Sequence, residues 1–306
     1  MAFCIPGDSG GDCRGTEGET GLKKRALLSV NAAVLLFGLA GLFARWIHLP
    51  AIEITFGRVL FSSVALGVFI RFSGRSFRLQ SRRDAGLLIA AGAVLALHWW
   101  AFLQAIQLSS VAVGTLTFSS FPLFVTFLEP LVSGRPPSRR NVILSAIILI
   151  GVLITVPEFS IRSGTAAGIA TGMVSSLAYA VLTLMNKGLS ERYGGVTTAF
   201  YEQATAAVLL RPFAVLSGVR PSPADLGLLL VLGVVATAFA HTLFISGLKA
   251  VPAQLAGICS SMETVYGILF ALLLLGERPA PREIAGAAVI VGAVVAAQAD
   301  SSFLRT

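Results

Sequence analysis

The sequence predicts an all-α membrane protein with ten transmembrane helices, arranged as two inverted five-helix repeats with both termini in the cytoplasm. Three observations support this prediction: the composition, the spacing of the apolar runs, and a similarity between the two halves of the chain. Hydrophobic residues make up 55% of the 306 residues and charged residues only 12%, whereas roughly a quarter of a soluble domain is charged. The composition therefore indicates a lipid environment for most of the chain.

Ten apolar runs of about the length that crosses a bilayer, roughly 20 residues, are separated by charged, Gly-containing or Pro-containing breaks. They lie at about residues 26–44, 52–72, 85–107, 112–131, 142–156, 165–186, 197–216, 226–247, 253–275 and 283–298. These runs use up the chain and leave no room for a separate catalytic domain. Residues 1–22 precede them, are rich in Gly and acidic residues, and are predicted to form a flexible cytoplasmic tail.

The two sets of five runs resemble each other along their length. Setting Gly134 on Gly276 defines the repeat offset, and after a one-residue gap the segment 146–151 (AIILIG) falls on 287–292 (AAVIVG). The sequence therefore divides into a first repeat at 23–157 and a second repeat at 158–306. Because five is odd, the second repeat must enter the membrane from the opposite side, which predicts an inverted repeat.

Lys and Arg are distributed unequally between alternate loops. With the N-terminus inside, sixteen of the 23 lie on the cytoplasmic side, six lie outside, and Arg58 lies within a span. This bias predicts cytoplasmic termini, and it explains the net charge of +8 without a nucleic-acid partner. The sequence contains no P-loop, no residues at metal-ligand spacing and no nucleophile beside a base, so we expect neither an enzyme nor a cofactor.

Two segments that close the repeats resemble a known family. They are SGRPPSRRNVILSAIILIGVLI and LGERPAPREIAGAAVIVGAVV, and they are similar to the paired repeat of EamA-type transporters of the drug/metabolite transporter superfamily. The resemblance implies a carrier in a bacterial inner membrane, with a cavity between the halves and amino acids, including aromatic ones, or related metabolites as exported substrates. The family's Glu-Pro step in the ninth helix is Glu263-Thr264 here, and its first-half counterpart is Phe121-Pro122.

Polar residues at three- and four-residue steps lie on one face of a helix and indicate where a water-filled path crosses lipid. The fourth, sixth and ninth predicted helices each carry such a stripe, and these include Ser119, Tyr179 and Ser261 respectively. We expect the three stripes to line one cavity, with Ser119 and Tyr179 binding the substrate. The alternative is that the small residues in them only permit close helix packing.

Arg58 lies about six residues into the second predicted helix, so its charge needs a partner within the membrane. Aligning ITFGRVL with TAFYEQA through Phe56 and Phe200 sets Arg58 against Glu202. One hypothesis is an ion pair between these two side chains, in which Glu202 stabilises the halves or gates one side. The other is that Arg58 binds a substrate carboxylate.

Aromatic and titratable residues complete the predicted binding site, in which a planar substrate would stack and form hydrogen bonds. They come from the third, sixth, seventh and eighth helices and comprise His98, Trp100, Tyr179, Tyr201 and His241. Either Trp99 or Trp100 is expected to line the cavity. Ordinary core packing or a lipid-facing ring is the alternative for each of these aromatic residues.

Glu263 lies near the middle of the ninth predicted helix, where an unpaired carboxylate is a candidate for proton coupling or for binding an amine. A structural hydrogen bond to a neighbouring helix is the competing interpretation. The sequence as a whole favours a secondary transporter that exports amino acids, aromatic or other neutral ones, by alternating access as a monomer or weak homo-oligomer. The alternative is a multidrug or other metabolite exporter, with or without proton coupling.

Overall fold

The computed structural model describes residues 12–109, 111–134, 136–155 and 165–299. Regular structure in these ranges is helical: α1 Asp12–Trp46, α2 Ala51–Phe72, α3 Arg82–Leu108, α4 Val111–Phe118, α5 Phe121–Ser133, α6 Arg139–Thr155, α7 Thr165–Leu216, α8 Pro223–Gly233, a π-helical turn Val234–Phe239, α9 Ala240–Leu248, α10 Ala253–Ser260, α11 Met262–Leu275 and α12 Pro281–Gln298. The predicted repeat boundary at residues 157 and 158 and the first eleven residues of the predicted tail lie outside the described residues.

The first helix is longer than the sequence predicts. It begins at Asp12, so residues 12–22, which belong to the predicted tail, are helical. An apolar span follows directly, and it supplies a formed helix from which further turns propagate at little cost, because the nucleation penalty is already met.

Eight helical stretches among the described residues are long and apolar enough to cross a membrane, so the protein is a multi-pass membrane protein. Three of these stretches consist of consecutive helices: α4 with α5, α8 through α9, and α10 with α11. The 52-residue α7 contains two helices that meet at Gly194, where φ is 73° and ψ is 166°, a conformation that glycine adopts readily. The break divides α7 into two helices, and the 17-residue α6 covers a further apolar run of the sequence.

Two of the membrane stretches are interrupted near their middle, at corresponding places. Between α4 and α5 the backbone N–H of Ser120 bonds to the carbonyl three residues back, at Thr117, and Pro122 follows in the first turn of α5. Between α10 and α11 the N–H of Ser261 bonds in the same way to Ile258. The second interruption forms without a proline, since Thr264 stands where Pro122 stands in the first half.

Close contacts between helices recur at the repeat offset. A Cβ placed on Gly92 of α3 would lie 2.7 Å from the carbonyl oxygen of Glu202 in α7, and one on Gly233 of α8 would lie 2.9 Å from that of Arg58 in α2. At the repeat offset, Gly92 corresponds to Gly233 within one position, and Arg58 to Glu202 within two. The two halves therefore contribute equivalent glycines to equivalent backbone contacts.

The helices that close the two halves run antiparallel. The Arg140 guanidinium, near the start of α6, donates to the carbonyl oxygen of Ala296 near the end of α12. Further along the pair, a Cβ on Gly151 would lie 3.1 Å from the carbonyl oxygen of Gly286. Because α6 and α12 correspond at the repeat offset, their opposite directions are those expected of inverted repeats.

Gly92→Ala is expected to destabilise the purified protein by about 1–3 kcal/mol, because the added methyl group overpacks the α3–α7 contact. The measurement is the thermal unfolding midpoint in detergent, which is monitored as the loss of the monodisperse size-exclusion peak. Gly86→Ala is the matched control: it lies in the same helix, a Cβ there meets nothing within 4 Å, and we expect an unchanged or higher midpoint. Equal shifts for the two variants would contradict this account of the packing.

Candidate functional site

A large cavity of about 460 Å³ lies between the two halves and opens on one side of the protein. Its mouth is lined by residues of the α11–α12 connection, including Glu277 and Pro279, and by Thr155 at the end of α6. Its deepest residues come from the middle of α2, α3, α7 and α9. We name the side of the mouth the open side.

One wall of the cavity is a cluster of aromatic rings. The rings of His98 and Tyr179 stack with their centroids 4.5 Å apart, and Tyr179 contacts Phe121 at 4.7 Å. Phe118 lies parallel to Phe121 at 5.8 Å. The His98 ring is fixed by Ser175, whose hydroxyl and carbonyl oxygens lie 2.9 and 3.0 Å from Nδ1. Planar groups of a ligand would meet flat, apolar surfaces here.

Arg58 lies at the floor of the cavity and contacts Thr237 and Trp99. Its Nε donates to Thr237 Oγ1 at 3.1 Å, and its Cζ lies 3.9 Å from the centroid of the Trp99 ring. Thr237 belongs to the π-helical turn and donates to the carbonyl of Leu232, five residues back. The wider turn brings this hydroxyl to Arg58, in keeping with the frequent occurrence of π-turns at functional sites. The guanidinium thereby keeps its charge at the edge of the cavity.

Glu202 and His241 form a second buried pair beside the first. Glu202 Oε2 lies 2.8 Å from His241 Nε2, and the two side chains are 0% and 1% exposed. Each has one further polar atom, Glu202 Oε1 and His241 Nδ1, without a hydrogen-bond partner. The His241 ring meets the Trp99 ring edge to face at 5.6 Å. The hypothesis of an ion pair between Arg58 and Glu202 is therefore wrong. Arg58 packs on the Trp99 ring of α3, and Glu202 bonds to the His241 ring of α9.

Glu263 stands in the first turn of α11 and lines the same cavity as Arg58. The two charges lie close enough to interact, yet no direct ion pair joins these two described side chains. Ser261, beside Glu263, also lines the cavity, and its hydroxyl oxygen has no hydrogen-bond partner. The cavity is thus lined by a guanidinium and a carboxyl group that no direct ion pair joins, and we call them its two poles.

The structure brings together most of the residues that the sequence singled out. Those that line the cavity are Arg58, Ser119, His98, Tyr179, His241 and Glu263, and Glu202 lies directly behind His241. Two predicted members are elsewhere. Trp100 packs against the core cluster that contains Phe43 and Leu103, because a step of one residue turns a side chain by about 100° around a helix. Tyr201 donates its hydroxyl to the Phe77 carbonyl at 2.5 Å, away from the cavity.

The three polar stripes line the cavity only in part. Ser119 and Thr264 face it, whereas Thr126 Oγ1 donates to the Pro122 carbonyl at 2.8 Å and lies 3.5 Å from the Ser145 hydroxyl of α6. Sequence reasoning did not single out Phe118 or Phe121, since phenylalanine within a membrane span is too common to mark a site. Trp99 had a clearer signal, because the repeat offset sets it directly against His241.

A membrane-embedded helical protein with two similar halves and a polar, aromatic cavity between them belongs to the class of membrane transporters. A profile of the EamA-like transporter family matches residues 24–156 and again residues 166–297. These matches cover most of the chain, and the chain belongs to this family. It is accordingly a transporter and not an enzyme.

Relatives of known name are also transporters. The chain is 25% identical over 270 residues to an uncharacterised transporter of Archaeoglobus fulgidus, covering 88% of this chain and 94% of that one. It is 25% identical to the pseudopaline exporter of Pseudomonas aeruginosa, with 81% and 86% covered, and 23% identical to the S-adenosylmethionine uptake transporter of Rickettsia felis, with 81% and 83% covered. A crystal structure with 18% identity superposes with a TM-score of 0.78 over 92% of this chain and 99% of that chain, which shows the shared fold.

Single cysteines are expected to report the extent of the cavity in a background that lacks the three native cysteines. Ser119→Cys and Thr264→Cys should react with a water-soluble, membrane-impermeant maleimide, because both positions line the cavity. Thr126→Cys is the matched control on the stripe of Ser119, and its position is 0% exposed, so we expect little labelling. Comparable labelling at positions 119 and 126 would contradict this extent of the cavity.

Proposed function

We propose that the protein crosses the membrane ten times as two inverted five-helix repeats, with both termini in the cytoplasm of a bacterial cell and the chain in its inner membrane. The break at Gly194 and the antiparallel pairing of α6 with α12 support the count and the inversion. The excess of Lys and Arg in alternate loops supports the orientation. In this orientation the open side faces outward, away from the cytoplasm.

We propose further that the transporter exports amino acids, aromatic or other neutral ones, and related metabolites by alternating access. The observation that carries this proposal is the placing of Arg58 and Glu263 in one cavity without a direct ion pair. An α-amino acid carries one carboxylate and one ammonium group, so it would satisfy both poles while remaining neutral overall. Guanidinium groups bind carboxylates with paired hydrogen bonds.

The aromatic wall supports a planar or apolar substrate side chain. Trp99, Tyr179 and Phe121 present ring faces and edges to the cavity, and offset or edge-to-face contacts between rings stabilise a complex beyond the area that they bury. Ser119 and His98 add polar groups to the same wall. The volume of about 460 Å³ lies within the range of small-molecule sites.

Glu202 and His241 are proposed as the coupling or gating pair. They are buried and share one hydrogen bond, and each retains an unpartnered polar atom. A carboxylate and an imidazole in direct contact exchange a proton easily between them, and His241 also reaches the cavity. Substrate binding beside His241 and proton binding by the pair would thereby influence each other. One chain encloses the whole cavity, so a monomer or weak homo-oligomer suffices.

The decisive experiment is transport by the purified protein in proteoliposomes. A panel of amino acids is supplied with and without a pH gradient, and both uptake and efflux are measured, since the relatives include both an exporter and an uptake transporter. Movement of neutral amino acids supports the proposal. Movement of cationic dyes without any amino acid would favour the alternative, a multidrug exporter in which Glu263 binds a cation.

Arg58→Gln is expected to weaken the apparent affinity for a transported amino acid by about tenfold or more, because a charge-assisted hydrogen bond to the carboxylate is lost. The apparent affinity for the corresponding amine, which lacks the carboxylate, should change much less. Arg211→Gln, at an exposed arginine of α7, is the control and should transport normally. Unchanged amino-acid transport by a well-folded Arg58→Gln variant would remove this role.

Trp99→Ala is expected to reduce the preference for aromatic over small aliphatic amino acids by about threefold to tenfold, the range that lost ring contacts support. Trp100→Ala removes an identical side chain from the adjacent position, which lies outside the cavity, and should leave the preference intact. The readout is competition between the two classes of amino acid in the proteoliposome assay. A larger loss of preference in Trp100→Ala would show that Trp100, and not Trp99, contacts the substrate.

A further inference from the structure

Five exposed arginines lie close together where α2 ends and α3 begins. They are Arg71 in the last turn of α2, Arg75 and Arg78 in the connection, and Arg82 and Arg83 in the first turn of α3. Among the residues that the structure describes, none of their guanidinium groups forms an ion pair. We name the segment 71–83 the arginine loop. Its charge is available to a partner outside the chain.

The arginine loop lies at the end of the protein opposite the cavity mouth. The residues of α3 that line the cavity begin at His98 and end at Ile106, whereas the arginines lie before and within the first turn of the same helix. At 1.5 Å per residue, about 22 Å of helix separates Arg83 from His98. In the orientation proposed above, this end of the protein faces the cytoplasm.

Contacts with α7 hold the arginine loop in a fixed position. The backbone N–H of Gln80 donates to Tyr193 Oη at 3.0 Å, and Tyr201 Oη donates to the Phe77 carbonyl at 2.5 Å. The Phe77 ring meets the Phe200 ring edge to face, with the centroids 5.3 Å apart. Membrane insertion requires only that basic residues lie on one side, and it does not require these contacts. The folded loop therefore presents its charges as a surface of defined shape.

Exposed phenylalanine rings lie directly beside the arginines. Phe69 and Phe72, in the last turn of α2, are 50% and 84% exposed, and α2 is one of the membrane stretches. Arg75 reaches back over the Phe69 ring, with its Cζ 5.9 Å from the ring centroid. Arginine side chains near the end of a membrane helix place their charge at the boundary between headgroups and hydrocarbon. Basic and apolar surfaces thus meet at the depth of lipid headgroups.

The acidic residues nearby do not balance this positive charge. Residues 71–84 and 187–192, which meet at this end of the protein, contain seven Lys or Arg and two acidic residues. One of the two is Asp84, which accepts from Arg192 Nη1 at 2.5 Å and from Tyr193 Oη at 2.7 Å. The other is Glu191, which is exposed. The Asp84 carboxylate is therefore engaged with α7, and an excess of positive charge remains at the surface.

We infer that the arginine loop binds the headgroups of anionic phospholipids, such as phosphatidylglycerol, in the adjacent leaflet. Guanidinium groups pair with phosphate oxygens through two parallel hydrogen bonds, and clusters of about four to eight basic residues beside a membrane helix bind anionic lipids. The acyl chains would lie against Phe69 and Phe72. A nucleic acid or free phosphate would use the charges but leave these rings without a contact, so the structure favours a lipid. The inference does not depend on which substrate is carried.

The test measures lipid binding by the purified protein and needs no transport substrate. The protein in detergent is titrated with phosphatidylglycerol or with phosphatidylcholine of the same acyl chains, and native mass spectrometry gives the lipid-bound fraction. We expect about tenfold tighter binding of phosphatidylglycerol, because its headgroup carries a net negative charge. Raising the ionic strength should weaken this preference. Glycerol phosphate, which lacks the acyl chains, and a single-stranded oligonucleotide should not displace the lipid at equal concentration.

Arg75→Gln combined with Arg78→Gln is expected to weaken the binding of phosphatidylglycerol about tenfold or more, because each basic residue near an anionic surface contributes to the attraction. The binding of phosphatidylcholine should not change. Arg75→Lys combined with Arg78→Lys keeps both charges and should retain most of the preference. Arg211→Gln combined with Arg220→Gln is the matched control: it removes two exposed arginines near the far end of α7, and phosphatidylglycerol should bind as before.

Three outcomes would overturn the inference. One is an equal affinity of the unchanged protein for the two lipids. Another is an equal loss of phosphatidylglycerol binding in the two Gln double variants, which would show attraction to the net charge of the protein and not to the arginine loop. The third is displacement of the lipid by glycerol phosphate or by the oligonucleotide, which would assign the surface to free phosphate or to nucleic acid.

Discussion

The burial of Arg58 is the constraint on which the rest of the site depends. A guanidinium cannot lose its charge and is costly within lipid, so the structure must surround it with compensating groups. Three different helical elements supply them: the π-helical turn through Thr237, α3 through the Trp99 ring, and α11 through the charge of Glu263. Since these elements come from both halves, satisfying one side chain requires the repeats to pack around a common centre. The cavity lies at that centre.

The two halves share a backbone arrangement but carry different chemistry on it. Arg58 with Trp99 in the first half occupies the place of Glu202 with His241 in the second, and the two rings meet between them. A strictly symmetric cavity would present the same groups to both ends of a substrate. The first half carries a cation and an indole where the second half carries an acid and an imidazole. The two ends of the site therefore differ in chemistry. It also explains why a symmetric alignment correctly locates these residues but pairs them wrongly.

Much of this arrangement could be predicted from the sequence, and the failures have physical causes. Hydrophobicity and the repeat offset located the helices, and polar spacing found the faces of Ser119 and Tyr179, because the helical period determines which residues share a face. The depth of a residue within its span could not decide whether Trp99 or Trp100 lines the cavity, because the two are adjacent but point in different directions. Tyr201 was misplaced because its hydroxyl bonds to the Phe77 carbonyl in the α2–α3 connection, a contact between distant segments that the periodicity of one helix does not show. The partner of Glu202 depends on how helices cross, which no single segment encodes.

The glycine contacts have a mechanical consequence for the whole molecule. At Gly92 and Gly233 the missing side chain lets the helices approach closely: an added Cβ would lie within 3 Å of the Glu202 carbonyl and Thr205 at Gly92, and of the Arg58 carbonyl and Phe61 at Gly233. Small residues let two helix axes come close at the point where they lie, and they set no distance further along the helices. The two contacts therefore hold the halves together between the cavity mouth and the opposite side of the protein. Under the alternating access proposed above, a tilt of the halves about these two contacts would widen one end of the cavity while it narrows the other, without passing through a continuous channel.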